Sequence, residues 1–209
     1  MFSLQAMFGK GERFYDLLEQ SAMAACESAD ALSALLANGT GAPLMAAFNA
    51  SHVREKELAA QISEELMNTF VTALDREDIE ALNSALYKIP KTIEKFAERY
   101  EIVAQRVAGV DFAQRAKVLT QSTKVVAEMI AQLRRSLQID PMKKLQDRLQ
   151  ALESEGDRML LAPYRTLYVE GNDVMRAMLA KDLFELIEKA IDKCRDVGNI
   201  VYSIVLKNS

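Results

Sequence analysis

The sequence predicts an all-α protein built from six long helices. Apolar residues recur at intervals of three and four along most of the chain, which is the spacing of a buried helix face. No segment shows the sustained polar–apolar alternation of a half-buried strand. Glycine and proline, which break helices, are scarce at 8 and 4 among 209 residues. The helices between these breaks are therefore expected to be long.

A turn containing glycine separates the first two predicted helices. The buried face of helix 1 is formed by Phe14, Leu18, Ala22, Ala25, Ala29, Leu32 and Leu36. Residues Asn38–Gly41 are expected to end this helix, because asparagine and glycine commonly follow the last helical turn. Helix 2 is predicted from about Pro43 to Ala73, with an apolar face formed by Leu58, Ile62, Leu66 and Phe70.

Helix 3 has the most regular apolar face in the chain. Asp75 is predicted to cap its N-terminus, with Asp78 at the third helical position, where an acidic side chain is favourable. Pro90 falls inside the pattern and is expected to kink the helix. The apolar face consists of Ile79, Leu82, Leu86, Ile89, Ile93, Phe96, Tyr100, Val103 and Val107.

The last three helices follow a turn at Gly109. Helix 4 is predicted from Phe112 to Leu137, and helix 5 begins at Asp140-Pro141, because proline is favourable in a first turn. Helix 6 is predicted from about Asp173 to Lys207. Short connections between helices of this length favour an antiparallel bundle.

The six helices also divide into two sets of three. Placing helix 3 on helix 6 aligns apolar positions, for example Leu82 with Ile187. We therefore expect one domain, residues 1–209, made of two antiparallel three-helix repeats. Repeat one is expected to span about 10–108 and repeat two about 109–209.

Composition and charge exclude several classes of protein. The net charge of −4 gives no overall attraction to nucleic acid or anionic lipid. No stretch approaches the roughly 20 apolar residues of a membrane span, and Met1–Phe8 does not have the pattern of a signal peptide. Cys26 and Cys194 fall on apolar helix faces and are expected to be buried thiols. These features predict a cytoplasmic protein.

Five carboxylates on helices 5 and 6 form the candidate site. They are Glu153 and Asp157 on helix 5, and Glu188, Asp192 and Asp196 on helix 6. Residues four apart share a helix face, and both sets have the same offset from their apolar faces, so they are expected to face each other. Few basic residues are expected to neutralise this stripe, since Arg195 lies one residue off it. Carboxylates of this kind bind hard cations, so the stripe is either a cation site or a solvated acidic surface.

The residue types exclude most enzymatic sites. A ferritin-like di-iron site needs two Glu-x-x-His units, and His52 is the only histidine. The same lack removes most Ser/His and Cys/His nucleophiles. The sequence therefore predicts a protein that is not an enzyme, with an oxygen-dependent metal enzyme as a third alternative.

Four strings, in order along the chain, resemble the PhoU-like family of phosphate transport regulators. They are Asp75–Leu82, Glu153–Arg158, Leu186–Val197 and Ile204–Lys207. The likeness is to the branch found beside Pit-type inorganic phosphate transporters, and it covers nearly the whole chain. It implies a PhoU-like helical bundle and a non-enzymatic accessory role in phosphate uptake. It also implies a homodimer, with a Pit-type transporter at the inner face of the membrane as partner.

The resemblance further implies metal binding through E/D-x-x-x-D signatures. The residues that match are Glu153, Asp157, Glu188, Asp192 and Asp196. The N-terminal repeat departs from the signature, with Lys56, Ala60, Tyr87 and Lys91 at the corresponding positions. We therefore expect a one-sided site for a metal ion of unspecified identity, with no organic cofactor. The alternative is a purely structural helical interaction module without metal.

Overall fold

The computed structural model describes residues 4–38, 42–167 and 173–209. All of its regular structure is helical, which confirms the all-α prediction. Gly39–Gly41, the last three residues of the expected first turn, and Met1–Ser3 lie outside the described residues. The helices are α1 (Leu4–Asn38), α2 (Ala42–Asn68), α3 (Arg76–Val103), α4 (Ala113–Arg135), α5 (Ile139–Leu167) and α6 (Val174–Lys207).

The end of α2 differs from the sequence prediction. The helix stops at Asn68 rather than near Ala73. Arg76 explains the early stop, because its guanidinium donates to the carbonyl oxygens of Leu66 and Thr69 at 2.5 and 2.7 Å. These carbonyls are satisfied without a further helical turn. Phe70, expected on the buried face, lies beyond the helix and is 99% exposed.

The start of α3 is held by a contact with α6 rather than by a complete side-chain cap. Asp75 precedes the helix as predicted, but its side chain makes no capping hydrogen bond. The side chain of Asp78 instead accepts a hydrogen bond of 2.7 Å from Lys207 Nζ at the end of α6. The helix then continues through Pro90, which is buried. The beginning of α3 and the end of α6 therefore lie together at one end of the bundle.

The helices pack as two groups of three. Within α1–α3, and again within α4–α6, every helix packs on the other two. The groups meet only along α1 with α4 and along α3 with α6, over the described parts of the chain. This arrangement is what two three-helix repeats require. The repeat boundaries at residues 108 and 109 stay a prediction.

The core runs continuously through both groups. Phe14, Phe48 and Phe96 are among its largest fully buried side chains. Burying a side chain of this size stabilises the fold by about 1.5–3 kcal/mol relative to leaving it in water. An aromatic cluster links the groups, since Phe112 contacts both Phe96, at 5.8 Å between ring centroids, and Phe184, at 4.6 Å. The core thus ties α3, the start of α4 and α6 together.

Both cysteines are free thiols. Cys194 is fully buried as expected, whereas Cys26 is only partly buried. Burial raises the pKa of the Cys194 thiol well above its usual range, so this side chain behaves as a small apolar group. Across the described residues, no helix combines the length and apolar character that crossing a bilayer requires.

Candidate functional site

Two glycines let α5 and α6, which carry the predicted acidic stripe, approach closely. A Cβ atom added at Gly198 would lie 2.5 Å from Leu149 Cδ2 and 2.9 Å from Gln146 Oε1. A Cβ atom added at Gly156 would lie 3.1 Å from Ile191 Cδ1. The two antiparallel helices therefore pack closely at both glycines. Polar side chains beside this contact come within reach of one another.

Arg195 lies within the acidic stripe. Its guanidinium donates to the Glu153 carboxylate across the contact between α6 and α5. The same group lies 3.2 Å from Asp192 Oδ1 and 3.8 Å from Asp196 Oδ1. Lys193 Nζ donates to the other oxygen of Asp196 at 2.7 Å. The expectation that few basic residues neutralise the stripe is therefore wrong, because a side chain three positions from Asp192 reaches it from one turn away.

Glu188 and Asp157 occupy the part of the stripe that has no basic partner among the described residues. The pKa of Glu188 is raised to about 7, first by burial and then by the negative charge of Asp192, by its hydrogen bond with Asp192 and by the charge of Asp157, while Arg195 opposes the shift. Among the described residues neither Glu188 nor Asp157 has an ion-pair partner. Carboxylates from α5 and α6 are thus close enough to repel one another, as their equal offsets from the two apolar faces predicted.

The carboxylates as arranged do not by themselves form a metal centre. Over the part of the chain that the structure describes, no group of three or more acidic, histidine or cysteine side chains is placed to hold a metal ion. Glu153 and Asp192 are paired with Arg195, and Asp196 is paired with Lys193. Metal binding by the five residues stays a prediction, and it would require Arg195 to give up its partners.

The corresponding edge of the N-terminal half joins α2 to α3 with other chemistry. Asn83 Nδ2 donates to the Ala59 carbonyl oxygen at 3.0 Å. His52 Nδ1 lies 2.9 Å from Glu94 Oε2. The only histidine is therefore engaged with a carboxylate on the neighbouring helix and is not part of a Glu-x-x-His pair.

The four substituted signature positions in this half do not form an acidic cluster. Lys56 and Ala60 are exposed on α2. On α3, the Lys91 ammonium lies 5.3 Å from the centre of the Tyr87 ring. These positions therefore present cationic and neutral groups, and the one-sided metal site stays a prediction.

Glu55 is the most deeply buried carboxyl group in the described residues, although it is not one of the predicted site residues. It is fully buried on α2, and neither of its oxygens has a hydrogen-bond partner. Burial raises its pKa to about 8, although Ser21 and Arg54 oppose the shift. Ser21 Oγ, on α1, also lacks a partner. The signal was present in the sequence, because Glu55 lies three residues before Leu58 and so continues the apolar face of α2.

Two relatives have sequences similar to that of this chain. The "Putative pit accessory protein" of Rhizobium meliloti (strain 1021) is 23% identical over 209 residues, covering 94% of both chains. "UPF0111 protein YkaA" of Bacillus subtilis (strain 168) is 24% identical over 149 residues, covering 69% of this chain and 70% of that protein. No protein-family model matches the chain.

Solved structures define the class of fold. A PhoU-like protein of Shewanella oneidensis MR-1 superimposes with a TM-score of 0.79 at 13% identity, over 92% of this chain and 99% of that one. A "putative PhoU-like phosphate regulatory protein" of the same organism gives a TM-score of 0.76 at 14% identity, over 93% and 99%. The chain has the PhoU-like helical fold, as the resemblance of its four strings predicted. Its sequence is similar along nearly its whole length to the "Putative pit accessory protein" of Rhizobium meliloti.

Proposed function

We propose that this protein is an accessory regulator of an inorganic phosphate transporter and acts by protein–protein contact rather than by catalysis. The observation that carries the proposal is the similarity to the pit accessory protein, which covers 94% of both chains. The PhoU-like fold supports it over the same length. Since the similarity spans both three-helix groups, the proposal applies to the whole bundle.

The proposed place of action is the inner face of the membrane, where the protein would be held by the transporter. The partner we propose is a Pit-type transporter. We also propose that the protein acts as a homodimer, because long helices offer extended surfaces for pairing with a second copy. Sedimentation equilibrium of the purified chain tests this part, and a single species at the monomer mass across micromolar concentrations would contradict it.

Binding to the transporter tests the main proposal. A Pit-type transporter from the same genome would be placed in lipid nanodiscs, and association of the purified protein would be followed by biolayer interferometry. We expect saturable binding to transporter nanodiscs and none to empty ones. In proteoliposomes, adding the protein should change the rate of phosphate uptake. Absence of both effects would refute the proposed function.

The proposal also includes a metal ion that is bound by the acidic stripe. We propose that a divalent or trivalent cation binds on α5 and α6 by displacing Arg195 from Glu153 and Asp192. The carboxylates of Glu188 and Asp157 have no ion-pair partner among the described residues, and this supports the proposal, because a cation would relieve the repulsion that, after burial, raises the pKa of Glu188. Occupancy would then be coupled to the α5–α6 contact.

The alternative is a helical interaction module that uses no metal. Arg195 favours it, because a guanidinium already supplies positive charge to Glu153 and Asp192. One experiment distinguishes the metal-binding protein from the module without metal. It compares wild type with Asp157→Ala/Asp192→Ala. Metal binding predicts a rise in melting temperature with divalent metal that chelator reverses and the double variant lacks. A module without metal predicts no such rise, with transporter binding unaffected by the two substitutions.

A further inference from the structure

An exposed apolar surface lies at the connection between α2 and α3. We call it the α2–α3 tip, and it consists of Met67, Phe70 and Val71. Their exposed fractions are 78%, 99% and 52%. Single exposed apolar residues are common, but three within five positions at one turn form a local cluster of exposed apolar side chains, and such clusters often mark interaction sites.

The tip is held in a defined conformation by the residues around it. Thr69 and Leu74 are buried and anchor the connection on both sides of Phe70. Arg76 binds the carbonyl oxygens of Leu66 and Thr69. Thr72 Oγ1 donates to the Leu74 carbonyl oxygen at 2.6 Å. Phe70 is therefore displayed by an ordered turn, so little conformational entropy remains to be lost when a partner covers it.

The charges around the tip are acidic. Glu64 lies one turn before Met67 on α2, and Asp75 and Glu77 lie at the start of α3, all three exposed. None of them forms an ion pair among the described residues. Two basic side chains reduce this negative charge without cancelling it, since Arg76 binds carbonyl oxygens and Lys207 pairs with Asp78 and attracts Asp75 and Glu77. The tip is therefore an apolar projection with a negatively charged border.

We propose that the α2–α3 tip docks on a Lys/Arg-bearing loop at the inner face of the transporter, with Phe70 entering an apolar pocket. This inference rests on the proposed function and names the surface that carries it out. Cytoplasmic loops of membrane proteins carry an excess of lysine and arginine, which complements the acidic border. A lipid surface fits less well, because the anionic inner leaflet repels Glu64, Asp75 and Glu77.

The test compares wild type with Met67→Ser/Phe70→Ser/Val71→Ser in binding to transporter nanodiscs. Because these side chains are exposed, the variant should keep the wild-type melting temperature. We expect it to bind about tenfold more weakly or worse, as expected for loss of a central aromatic anchor. The matched control is Ile102→Ser, which removes an apolar side chain 83% exposed at the opposite end of α3. The control should bind within about twofold of wild type, as expected for a residue outside the interface.

A second pair of substitutions tests the acidic border. Glu64→Gln/Glu77→Gln should slow association and flatten its dependence on salt, while leaving the dissociation rate nearly unchanged. Equal association rates at low salt would overturn the proposed charge complementarity. The exposed pair Glu57→Gln/Glu98→Gln, away from the tip, serves as the charge-matched control.

The outcomes separate the inference from the function on which it rests. If wild type does not bind the transporter, both are overturned. If wild type binds and the triple variant binds equally well, the docking surface is overturned and the accessory function stands. Three further results would also overturn the inference: wild-type binding to empty anionic nanodiscs that the variant loses, self-association that the variant loses, or a lower melting temperature of the variant. The first result would mean that the tip binds lipid, and the second that it binds a second copy of the chain. The third would mean that it packs on another part of the same chain.

Discussion

The guanidinium of Arg195 on α6 donates to the carboxylate of Glu153 on α5, across the helix pair that carries every predicted metal ligand. A planar guanidinium matches a carboxylate well and keeps its charge at any physiological pH. The stripe therefore contains its own cation. Any metal ion at this site must compete with a tethered group whose local concentration is fixed by the fold.

Replacing Arg195 should reveal this competition. Arg195→Gln removes the positive charge and leaves Glu153, Asp192 and Glu188 to repel one another. We expect the free energy of unfolding to fall by about 1–2 kcal/mol in chelator. We expect added Mn²⁺ to restore more stability than it does in wild type. Chemical denaturation and isothermal titration with Mn²⁺ measure the two effects.

Arg148→Gln is the matched control for this experiment. Arg148 pairs with Glu128 at 3.0 Å between two exposed side chains, so its loss should change stability by less than about 0.5 kcal/mol. It should leave Mn²⁺ binding unchanged. Equal Mn²⁺ affinity in wild type and Arg195→Gln would show that the guanidinium does not compete with metal.

The buried carboxyl group of Glu55 should make stability depend on pH. Burial raises its pKa from 4.5 to about 8 in the folded protein. Well below pH 4.5 the group is protonated in both the folded and the unfolded state, so its ionisation does not affect stability. As pH rises towards 8, the unfolded chain loses this proton and the folded chain retains it, so unfolding is favoured by up to about 1.4 kcal/mol per pH unit.

Glu55→Gln should remove this dependence, because an amide does not titrate. In denaturant titrations, the free energy of unfolding of the variant should rise steadily relative to that of wild type from pH 5 to pH 8. A buried amide has its own constant cost, so the slope of the difference rather than its value decides the outcome. Glu57→Gln, at an exposed neighbouring position, should follow wild type. A pH-independent difference for Glu55→Gln would mean that Glu55 does not hold its proton in the fold.

The close contact of α5 and α6 should tolerate one glycine substitution better than the other. A methyl group at Gly198 would meet Leu149 at 2.5 Å, and Gln146 is also within 3 Å. Gly198→Ala should therefore cost about 1–3 kcal/mol by overpacking. At Gly156 the nearest atom is the end of the Ile191 side chain at 3.1 Å, which can move. Gly156→Ala should be nearly neutral, since alanine also favours the helix. Thermal unfolding orders the two, and equal losses would contradict this packing.

Arg115 should resist replacement by lysine although the charge is kept. Its guanidinium lies 3.7 Å from the centre of the Phe184 ring and donates to the Met159 carbonyl oxygen. Burial lowers the pKa of Arg115. A lysine has no planar group that can stack on the ring while it donates to this carbonyl oxygen. We expect Arg115→Lys to cost about 1–3 kcal/mol in urea unfolding.

The control is Arg54→Lys, at an exposed arginine paired with Glu27. It should change stability by less than about 0.5 kcal/mol. If Arg115→Lys loses no more stability than the control, the stack on Phe184 contributes no stability beyond that of the positive charge.

The sequence was sufficient for the helices and for the faces that meet. Regular apolar spacing predicted all six, because burial and helical periodicity act over many residues at once. The facing of Glu188 and Asp157 also followed from spacing. The end of α2 did not, because it depends on Arg76 reaching back to the Leu66 carbonyl oxygen, and apolar periodicity carries no information about that contact.

The charge balance of the site was harder to predict than its position. Arg195 lies one residue from the acidic stripe in the sequence, yet its long side chain reaches Glu153 on another helix. A one-dimensional stripe describes where Cβ atoms lie and not where flexible side chains end. Glu55 was missed for the opposite reason, since a carboxylate at an apolar position is easily taken for a surface residue.

The position of α2 at the side of the bundle has a consequence for local unfolding. Among the described residues it contacts only α1 and α3, so it can detach without separating the two groups of helices. Its inner face buries Glu55, whose carboxyl oxygens have no hydrogen-bond partner, and this weakens the attachment of the helix. Backbone amides of α2 should therefore exchange with deuterium before those of α3 or α6. A transporter bound to the turn that follows α2 would slow this exchange. The exchange rate of the α2 amides would then report what fraction of the protein is bound to the transporter.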